Sequence, residues 1–320
     1  MKDHYLWCDF IERTFLTTQF KELLENRRIF GATSNPTIFA QALSSPAYQE
    51  NIKQLKATQT PAKDIYESLV VEDIKQCAQM LLPLWEKNKA TGYISLEIDP
   101  NLANNVSFSI VEARALFERI GMPNVMIKIP ATNEGIKVME HLAEGEDMPL
   151  NATLVFSPEQ ARQCALALRR APMAVVSIFV SRVDTLANEL LKNRNLSLRT
   201  QQHLQNKIGI GNALACYEQV REVSNTIYPL FASTGVKDPS LPKDYYLQAL
   251  KLEHSISTAP LEALQAYYNE PSPPPTLSKN LSATATDLLG SYRDFYSDLL
   301  KQGLDAFKKA FEDILYRRFR

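Results

Sequence analysis

One lysine, Lys128, lies within the apolar and partly β-branched segment Val125–Pro130. This pattern predicts a β-strand that is buried on both faces. Because burial disfavours a charged ammonium group, a lysine in such a strand is expected to be neutral and able to attack a carbonyl carbon, forming a Schiff base. The alternative is a structural lysine at a strand end, whose stem packs while its amine reaches solvent or pairs with a carboxylate.

Other polar side chains also stand near the ends of apolar segments. They are Asp9 after the first segment, Thr33 and Asn35 at the close of the second, Glu97 late in the third, Asn151 and Thr153 on the fifth, and Ser177 within the sixth. Asn151 and Thr153 are two residues apart and therefore share one face of a strand. Each residue alone has a structural alternative: Asp9 as a helix N-cap, Asn35 as a turn residue before proline. Glu97 could equally be an ion-pair partner, and the Ser177 hydroxyl could bond to the backbone.

The elements that must position these side chains alternate along the chain. The predicted strands are Tyr5–Phe10, Ile29–Ser34, Tyr93–Ile98, Val125–Pro130, Asn151–Phe156, Met173–Val180, Tyr228–Ala232 and His254–Thr258. The predicted helices between them include Asp64–Glu86, Ser109–Ile120, Glu134–Leu142, Pro158–Leu168 and Gln202–Val223. This alternation favours a parallel (β/α)8 TIM barrel. A doubly wound sheet is less consistent with the sequence, because no Gly-x-Gly-x-x-Gly motif follows a strand.

A barrel places the carboxyl ends of its strands at one face, which is where catalytic residues of such folds gather. The six consecutive predicted strands that carry Asp9, Asn35, Glu97, Lys128, Thr153 and Ser177 would then bring these side chains together. We therefore expect a shared site rather than several unrelated structural residues.

Composition restricts the class of protein. The formal net charge is −1, which gives no overall field that would attract nucleic acid or an acidic membrane. The four cysteines lie far apart in apolar stretches, which favours buried free thiols in a reducing compartment, and no metal-binding spacing of Cys and His is visible. No signal peptide pattern or membrane-spanning apolar run is found, so we expect a cytoplasmic protein.

The proline-rich segment Pro271–Pro275 divides the expected barrel, residues 1–270, from a C-terminal tail, residues 271–320. Apolar residues recur in the tail at helical spacing, namely Tyr292, Phe295, Leu299, Phe307, Phe311, Ile314 and Leu315. This stripe predicts additional C-terminal helices that dock on the barrel or on a second subunit. The basic end, residues 317–320, is expected to be a solvated helix end rather than a phosphate or nucleic-acid patch.

Two long segments resemble signatures of the transaldolase family. Gly31–Phe39 is similar to the Thr-Asn-Pro signature, and Ile127–Ile136 is similar to the signature of the Schiff-base lysine. The resemblance continues through Ile94–Asp99, Asn151–Phe156 and Ser177–Arg182, and Ala232–Pro239 resembles the bacterial branch that has a lysine at its phosphate site. Ser257–Pro260 departs from the family pattern, so the eighth strand receives no functional weight, and the sequence from Leu261 onward has no usable match.

The resemblance implies transfer of a dihydroxyacetone unit from sedoheptulose 7-phosphate to glyceraldehyde 3-phosphate, a step of the pentose phosphate pathway. It implies Lys128 as the nucleophile, Asp9 as the base at the C4 hydroxyl, and Glu97 and Thr153 as proton carriers that act through a water. The implied substrate-binding residues are Thr33, Asn35, Asn151 and Ser177 for the dihydroxyacetone unit, and Arg182, Ser233 and Lys237 for phosphate. No metal or organic cofactor is implied, and the expected partners are sugar phosphates, with a monomeric or homodimeric protein.

Two other functions stay open from the sequence. A Schiff-base aldolase of the fructose 6-phosphate type would release the three-carbon unit to water, although such relatives are shorter and have glutamine where Glu97 stands. A non-catalytic barrel would use its apolar tail as a docking surface.

Overall fold

The structure is a computed structural model that describes residues 3–58, 60–193 and 197–319. Its described residues form one closed barrel of eight parallel strands, in which each strand pairs with its neighbours in chain order. The strands are β1 (His4–Cys8), β2 (Gly31–Thr33), β3 (Tyr93–Glu97), β4 (Val125–Pro130), β5 (Leu150–Val155), β6 (Ala174–Phe179), β7 (Tyr228–Ala232) and β8 (Ser255–Ala259). The predicted TIM barrel is confirmed, and every predicted strand is present with ends that differ by two residues at most.

Helices surround the barrel. In the described ranges they are α1 (Arg13–Phe15), α2 (Lys21–Glu25), α3 (Pro36–Ala42), α4 (Gln49–Ala57), α5 (Ala62–Lys87), α6 (Val106–Ile120), α7 (Asn133–Ala143), α8 (Pro158–Leu168), α9 (Ser181–Asn193), α10 (Leu198–Leu204), α11 (Ile208–Val223), α12 (Tyr245–Ala249), α13 (Leu261–Asn269), α14 (Leu281–Gly290) and α15 (Phe295–Arg318). A π-helical turn, Leu16–Phe20, joins α1 to α2. None of these helices combines the length and apolarity that a membrane span needs.

The prediction of one continuous helix over Gln202–Val223 is wrong. The chain leaves the helix between α10 and α11, where Asn206 adopts a left-handed backbone with φ of 59°. Asparagine tolerates this conformation better than most residues. The backbone N–H of Asn206 donates to Asn188 Oδ1 of α9 at 3.0 Å, and this contact stabilises the interruption. Local apolar spacing cannot reveal such a break.

The lower part of the barrel is filled with large apolar side chains. Trp7, Tyr93, Met126, Leu230 and Ile256 are buried in one cluster there. Gly31 lies against the Trp7 indole, and a Cβ atom at Gly31 would stand only 2.5 Å from that ring. Because side chains alternate along each strand, the next inward positions toward the carboxyl ends are available for the polar residues of the site.

Strand β5 contains an irregularity near the carboxyl end of the barrel. Its register with β6 shifts between Ala152 and Val155, and Leu154 has a φ of 58°. A bulge of this kind redirects a side chain. The Leu154 side chain is fully buried, and it packs close to Gly303 of the C-terminal helix α15.

The C-terminal helices pack on the barrel of the same chain. Helix α14 lies against α11, while α15 contacts α3, α5 and β5. The apolar stripe of α15 is turned inward, with Phe295, Leu299, Phe307, Phe311 and Ile314 all buried. Of the predicted stripe, Tyr292 and Leu315 are only half-buried. Two arginines of the basic end make contacts within the protein: Arg317 pairs with Asp313, and Arg318 donates to the Leu43 carbonyl. Arg320 lies outside the described residues.

Candidate active site

A cleft of about 340 Å³ opens at the carboxyl ends of the strands. Its wall contains eight of the residues that the sequence analysis selected, namely Asp9, Thr33, Asn35, Lys128, Ser177, Arg182, Ser233 and Lys237. Glu97 on β3 and Asn151 and Thr153 on β5 do not line the cleft and are buried in the barrel. The carboxyl-end rule for barrels thus brings together side chains from five strands, β1, β2, β4, β6 and β7, and the loops that follow them.

Lys128 lies deep in this cleft with only 5% of its surface exposed. Its side-chain nitrogen Nζ donates to the carbonyl oxygen of Ser34 at 2.9 Å. The nearest carboxylate oxygen, Oε2 of Glu97, is 3.8 Å from Nζ, and the two residues occupy paired positions on β4 and β3. The alternative in which the amine of Lys128 reaches bulk solvent therefore does not describe this residue, while an ion pair with Glu97 exists without a direct hydrogen bond.

Glu97 is a buried carboxyl group with unusual surroundings. No donor in the described residues makes a hydrogen bond to either carboxyl oxygen. Burial raises the pKa of Glu97 to about 7, although the nearby charges of Lys128 and Arg182 act in the opposite direction. The hydroxyl of Thr153, on the neighbouring side of β4, is also buried and lacks a described partner. A carboxyl group that titrates near neutral pH beside an amine is suited to move protons to and from the amine's adducts.

Asp9 lies directly after β1 and lines the same cleft as Lys128. Its Oδ1 accepts a hydrogen bond from the Thr33 hydroxyl at 2.5 Å. Burial raises the pKa of Asp9, while that hydrogen bond and the charges of Lys128 and Arg182 lower it. The proposed structural alternative is wrong, because the N-cap of α1 is Glu12, whose carboxylate accepts from the Phe15 N–H.

Asn35 and Asn151 contribute amide groups in different ways. Asn35 is the N-cap of α3, where Oδ1 accepts from the Ile38 N–H at 3.0 Å, and it also lines the cleft. Asn151 is fully buried, and its Nδ2 donates to the Ser95 hydroxyl at 3.0 Å. Its Oδ1 accepts from the Ser177 hydroxyl at 2.7 Å, so Asn151 fixes the orientation of Ser177. A hydrogen-bonded layer therefore lies inside the barrel below the cleft.

Cationic groups gather at another side of the cleft. Arg182, in the first turn of α9, is partly exposed, and burial lowers its pKa while Glu97 and Asp9 raise it. Ser233, after β7, has a left-handed backbone with φ of 53°, and its hydroxyl is 2.9 Å from that of Ser181. Lys237 is exposed at the rim. Guanidinium, ammonium and hydroxyl groups at one end of a cleft are the donors that phosphate recognition uses.

Thr258 and Phe307 are among the cleft residues that the sequence analysis did not select. Thr258 of β8 has its hydroxyl 2.5 Å from that of Thr33, which in turn contacts Asp9. The sequence analysis assigned no site residue to this strand, because Ser257–Pro260 departs from the family pattern. The rule that site residues lie at the carboxyl ends of barrel strands would have selected Thr258. Phe307 of α15 also lines the cleft, and no local signal in the tail could have placed it there.

Comparisons with known proteins show one family along nearly the whole chain. A family model described as Transaldolase/Fructose-6-phosphate aldolase matches residues 6–317 of the chain. A protein named Transaldolase from Helicobacter pylori strain HPAG1 is 44% identical over 329 residues, covering 98% of this chain and 99% of the relative. A protein of the same name from Campylobacter jejuni subsp. doylei is 43% identical over 338 residues, with the same coverage.

Proposed function

We propose, because the chain belongs to the transaldolase/fructose-6-phosphate aldolase family, that it is a transferase with transaldolase activity. It transfers a dihydroxyacetone unit from sedoheptulose 7-phosphate to glyceraldehyde 3-phosphate, giving erythrose 4-phosphate and fructose 6-phosphate in the pentose phosphate pathway. Relatives named Transaldolase align over nearly the whole length of both chains, which supports this activity. The observation that carries the mechanism is the buried amine of Lys128 beside the Glu97 carboxyl, which accepts no hydrogen bond from the described residues.

The first half of the reaction forms a covalent intermediate on Lys128. The Lys128 amine attacks the ketose carbonyl, and loss of the carbinolamine hydroxyl as water gives an iminium ion. Glu97 supplies the proton that this hydroxyl needs to depart, and Thr153 positions the water that carries it. A carboxyl group with a pKa near 7 is well matched to both directions of proton transfer at neutral pH.

Cleavage of the C3–C4 bond then depends on Asp9. Asp9 removes the proton of the C4 hydroxyl, the C4–O electrons form the aldehyde carbonyl, and the electron pair of the broken bond moves into the iminium to give an enamine. The aldehyde product leaves, and the enamine attacks the carbonyl of the acceptor aldehyde. Asp9 returns its proton to the new alkoxide, and hydrolysis of the iminium releases the product and frees Lys128.

The remaining residues hold the substrate. Asn35 and Ser177 hydrogen-bond hydroxyl groups of the three-carbon unit, with Thr33 orienting Asp9 and Asn151 orienting Ser177. Arg182, Ser233 and Lys237 bind the phosphate group. This arrangement keeps the enamine in place until an acceptor arrives, which is the requirement that distinguishes transfer from simple cleavage.

A fructose 6-phosphate aldolase activity is the second candidate, since the matching family model includes that activity by name. The two are separated by assaying fructose 6-phosphate with and without an acceptor aldehyde. Turnover that requires the acceptor supports transfer, whereas equal release of glyceraldehyde 3-phosphate without it supports the aldolase. We also propose a cytoplasmic location, supported by four buried free cysteines, and a monomeric or homodimeric state.

The test of the proposed nucleophile is borohydride trapping. With fructose 6-phosphate present, reduction should add a three-carbon or six-carbon unit to one lysine, on the peptide that contains Met126–Glu134. Lys128→Met, which keeps a long unbranched side chain in the barrel, should abolish labelling and turnover while preserving the fold. Lys137→Ala is the matched control, because Lys137 is exposed on α7 next to the same strand. Labelling that persisted in Lys128→Met would contradict the assignment.

A further inference from the structure

The C-terminal helix α15 forms part of the candidate active site. Phe307, with 1% of its surface exposed, lines the same cleft as Lys128 and Asp9. One turn further along α15, Phe311 packs edge-on against Tyr66 of α5, with ring centroids 5.0 Å apart. The helix also contacts α3, whose N-cap is the cleft residue Asn35. The tail is therefore in contact with several elements that carry site residues.

The guanidinium group of Arg182 contacts two aromatic rings. Its carbon Cζ lies 5.2 Å from the ring centroid of Phe179 and 5.7 Å from that of Phe307. Both distances are within the range of cation–π attraction. No residue in the described part of the chain accepts a hydrogen bond from Arg182 or forms an ion pair with it. The rings thus hold the cation while its N–H groups stay available to a ligand.

Gly303 allows α15 to pack closely against Leu154, beside this cation. A Cβ atom at Gly303 would lie 3.4 Å from Nη1 of Arg182 and 2.9 Å from Cδ2 of Leu154. Glycine inside a helix is destabilising relative to alanine, so a glycine here needs a compensating contact. The bulge in β5 brings Leu154 to the same place. Helix, bulge and arginine therefore meet in one closely packed region.

We propose that Phe307 is a positioning residue, which together with Phe179 holds Arg182 in the orientation that binds the substrate phosphate. The proposal rests on the proposed function, in which Arg182 is a phosphate ligand. Phe179 comes from a barrel strand and is fixed by the sheet, whereas Phe307 comes from the tail. The tail helix is then a working part of the sugar-phosphate site and not only a cover for the barrel.

Phe307→Leu tests this role, because leucine keeps much of the apolar bulk and removes the ring. The KM for fructose 6-phosphate and the inhibition constant for inorganic phosphate should each rise about fivefold to tenfold, the effect of losing one cation–π contact. The kcat should stay within about twofold. Borohydride labelling of Lys128 by unphosphorylated dihydroxyacetone should keep its wild-type concentration dependence. Equal weakening of dihydroxyacetone labelling would show a general packing defect and overturn the proposal.

Phe311→Leu is the matched control. It makes the same change one turn away on the same buried helix face, where the ring contacts Tyr66 and not Arg182. Phe311→Leu should lower stability about as much as Phe307→Leu and leave the KM for fructose 6-phosphate unchanged. If both variants raised this KM alike, the effect would come from looser docking of α15, and the specific role of Phe307 would be wrong.

A double-mutant cycle separates this inference from the proposed function. In an Arg182→Ala background, Phe307→Leu should cause no further rise in the KM for fructose 6-phosphate, because the ring acts through the arginine. Arg182→Ala that raised this KM while Phe307→Leu did not would overturn the positioning role and leave the phosphate assignment intact. Arg182→Ala without any effect would remove the phosphate assignment itself, and the labelling of Lys128 would still test transaldolase chemistry independently.

Discussion

Two buried carboxyl groups that lie next to cations differ in how completely they are satisfied. Asp73 on α5 accepts from Arg13 Nε at 2.7 Å and from the Tyr48 hydroxyl at 2.6 Å. Glu97 is 3.8 Å from Lys128 Nζ and accepts no hydrogen bond from the described residues. Their side chains are 0% and 2% exposed, and burial raises the pKa of both. Burial beside a cation is therefore common to both sites and cannot identify the one that does chemistry.

The difference lies in the hydrogen bonds that remain available. Arg13 also donates to Asn51 and Glu72 and lies over the Tyr48 ring, so the network around Asp73 is closed. A buried group without partners costs free energy, and proteins retain such groups where a ligand completes the interaction. We infer that Asp73 joins α1, α5 and the segment before α4, while Glu97 is reserved for the reaction.

The largest expected effect is that of Glu97→Gln on the rate. The amide has the same shape and cannot carry the proton, so formation of the borohydride-trappable adduct should slow about 10³-fold, equivalent to about 4 kcal/mol. Stopped reactions sampled over time measure this rate directly. The folded structure should persist, since the substitution removes a charge that was poorly solvated. A variant with normal labelling kinetics would show that Glu97 resembles Asp73 in role.

Asp73→Asn should lower stability and leave the catalytic rate nearly unchanged, the opposite of Glu97→Gln. It removes the buried carboxylate partner of the half-buried Arg13 and places an NH2 group against donors, so the free energy of unfolding should fall by about 3 kcal/mol. Urea denaturation followed by circular dichroism provides the measurement. The kcat per folded molecule should stay within about twofold, because Asp73 lies outside the cleft. Loss of kcat in fully folded Asp73→Asn would contradict the separation of the two sites.

A smaller effect is expected in the pH dependence of stability, which should differ between the native chain and Glu97→Gln. The folded-state pKa of Glu97 is raised from 4.5 to about 7, so its stabilising contribution is present below pH 4.5 and is lost as pH rises through 7. Glutamine does not ionise, so Glu97→Gln does not lose this stability as pH rises. The variant should therefore gain stability relative to the native chain between pH 5 and 8, by an amount on the order of 2 kcal/mol. A constant difference across that range would show that the raised pKa of Glu97 is wrong.

The barrel could be predicted from the sequence because its strands are short, apolar and separated by helical spacing. Lys128, Glu97 and Asp9 could be selected because the carboxyl ends of parallel strands converge, so that local order implies spatial proximity. Phe307 could not be selected, because its contact with Arg182 joins the tail to α9 and depends on how α15 docks. Likewise, neither the bulge at Leu154 nor the break at Asn206 leaves a mark in apolar spacing, because each is stabilised by contacts to distant residues.

The smallest expected effect concerns two exposed lysines, one without a described ion pair and one with an ion pair. Lys237 lies at the cleft rim without a described ion pair, whereas Lys243, on the same loop, is paired with Glu262 at 3.2 Å. Lys237→Ala should raise the KM for fructose 6-phosphate about fivefold with little change in kcat, since an exposed ammonium group contributes about 1 kcal/mol to phosphate binding. Steady-state kinetics at low ionic strength should show the effect most clearly, because salt screens an exposed charge.

Lys243→Ala is the control for Lys237→Ala, because it removes an equal charge from the same loop while leaving the cleft wall intact. Its KM for fructose 6-phosphate should equal that of the native chain. If the two variants changed KM equally, the effect would reflect net charge, and Lys237 would lose its place in the phosphate site. If the two variants differ in KM for fructose 6-phosphate but behave alike with unphosphorylated dihydroxyacetone, Lys237 contributes to phosphate binding alone.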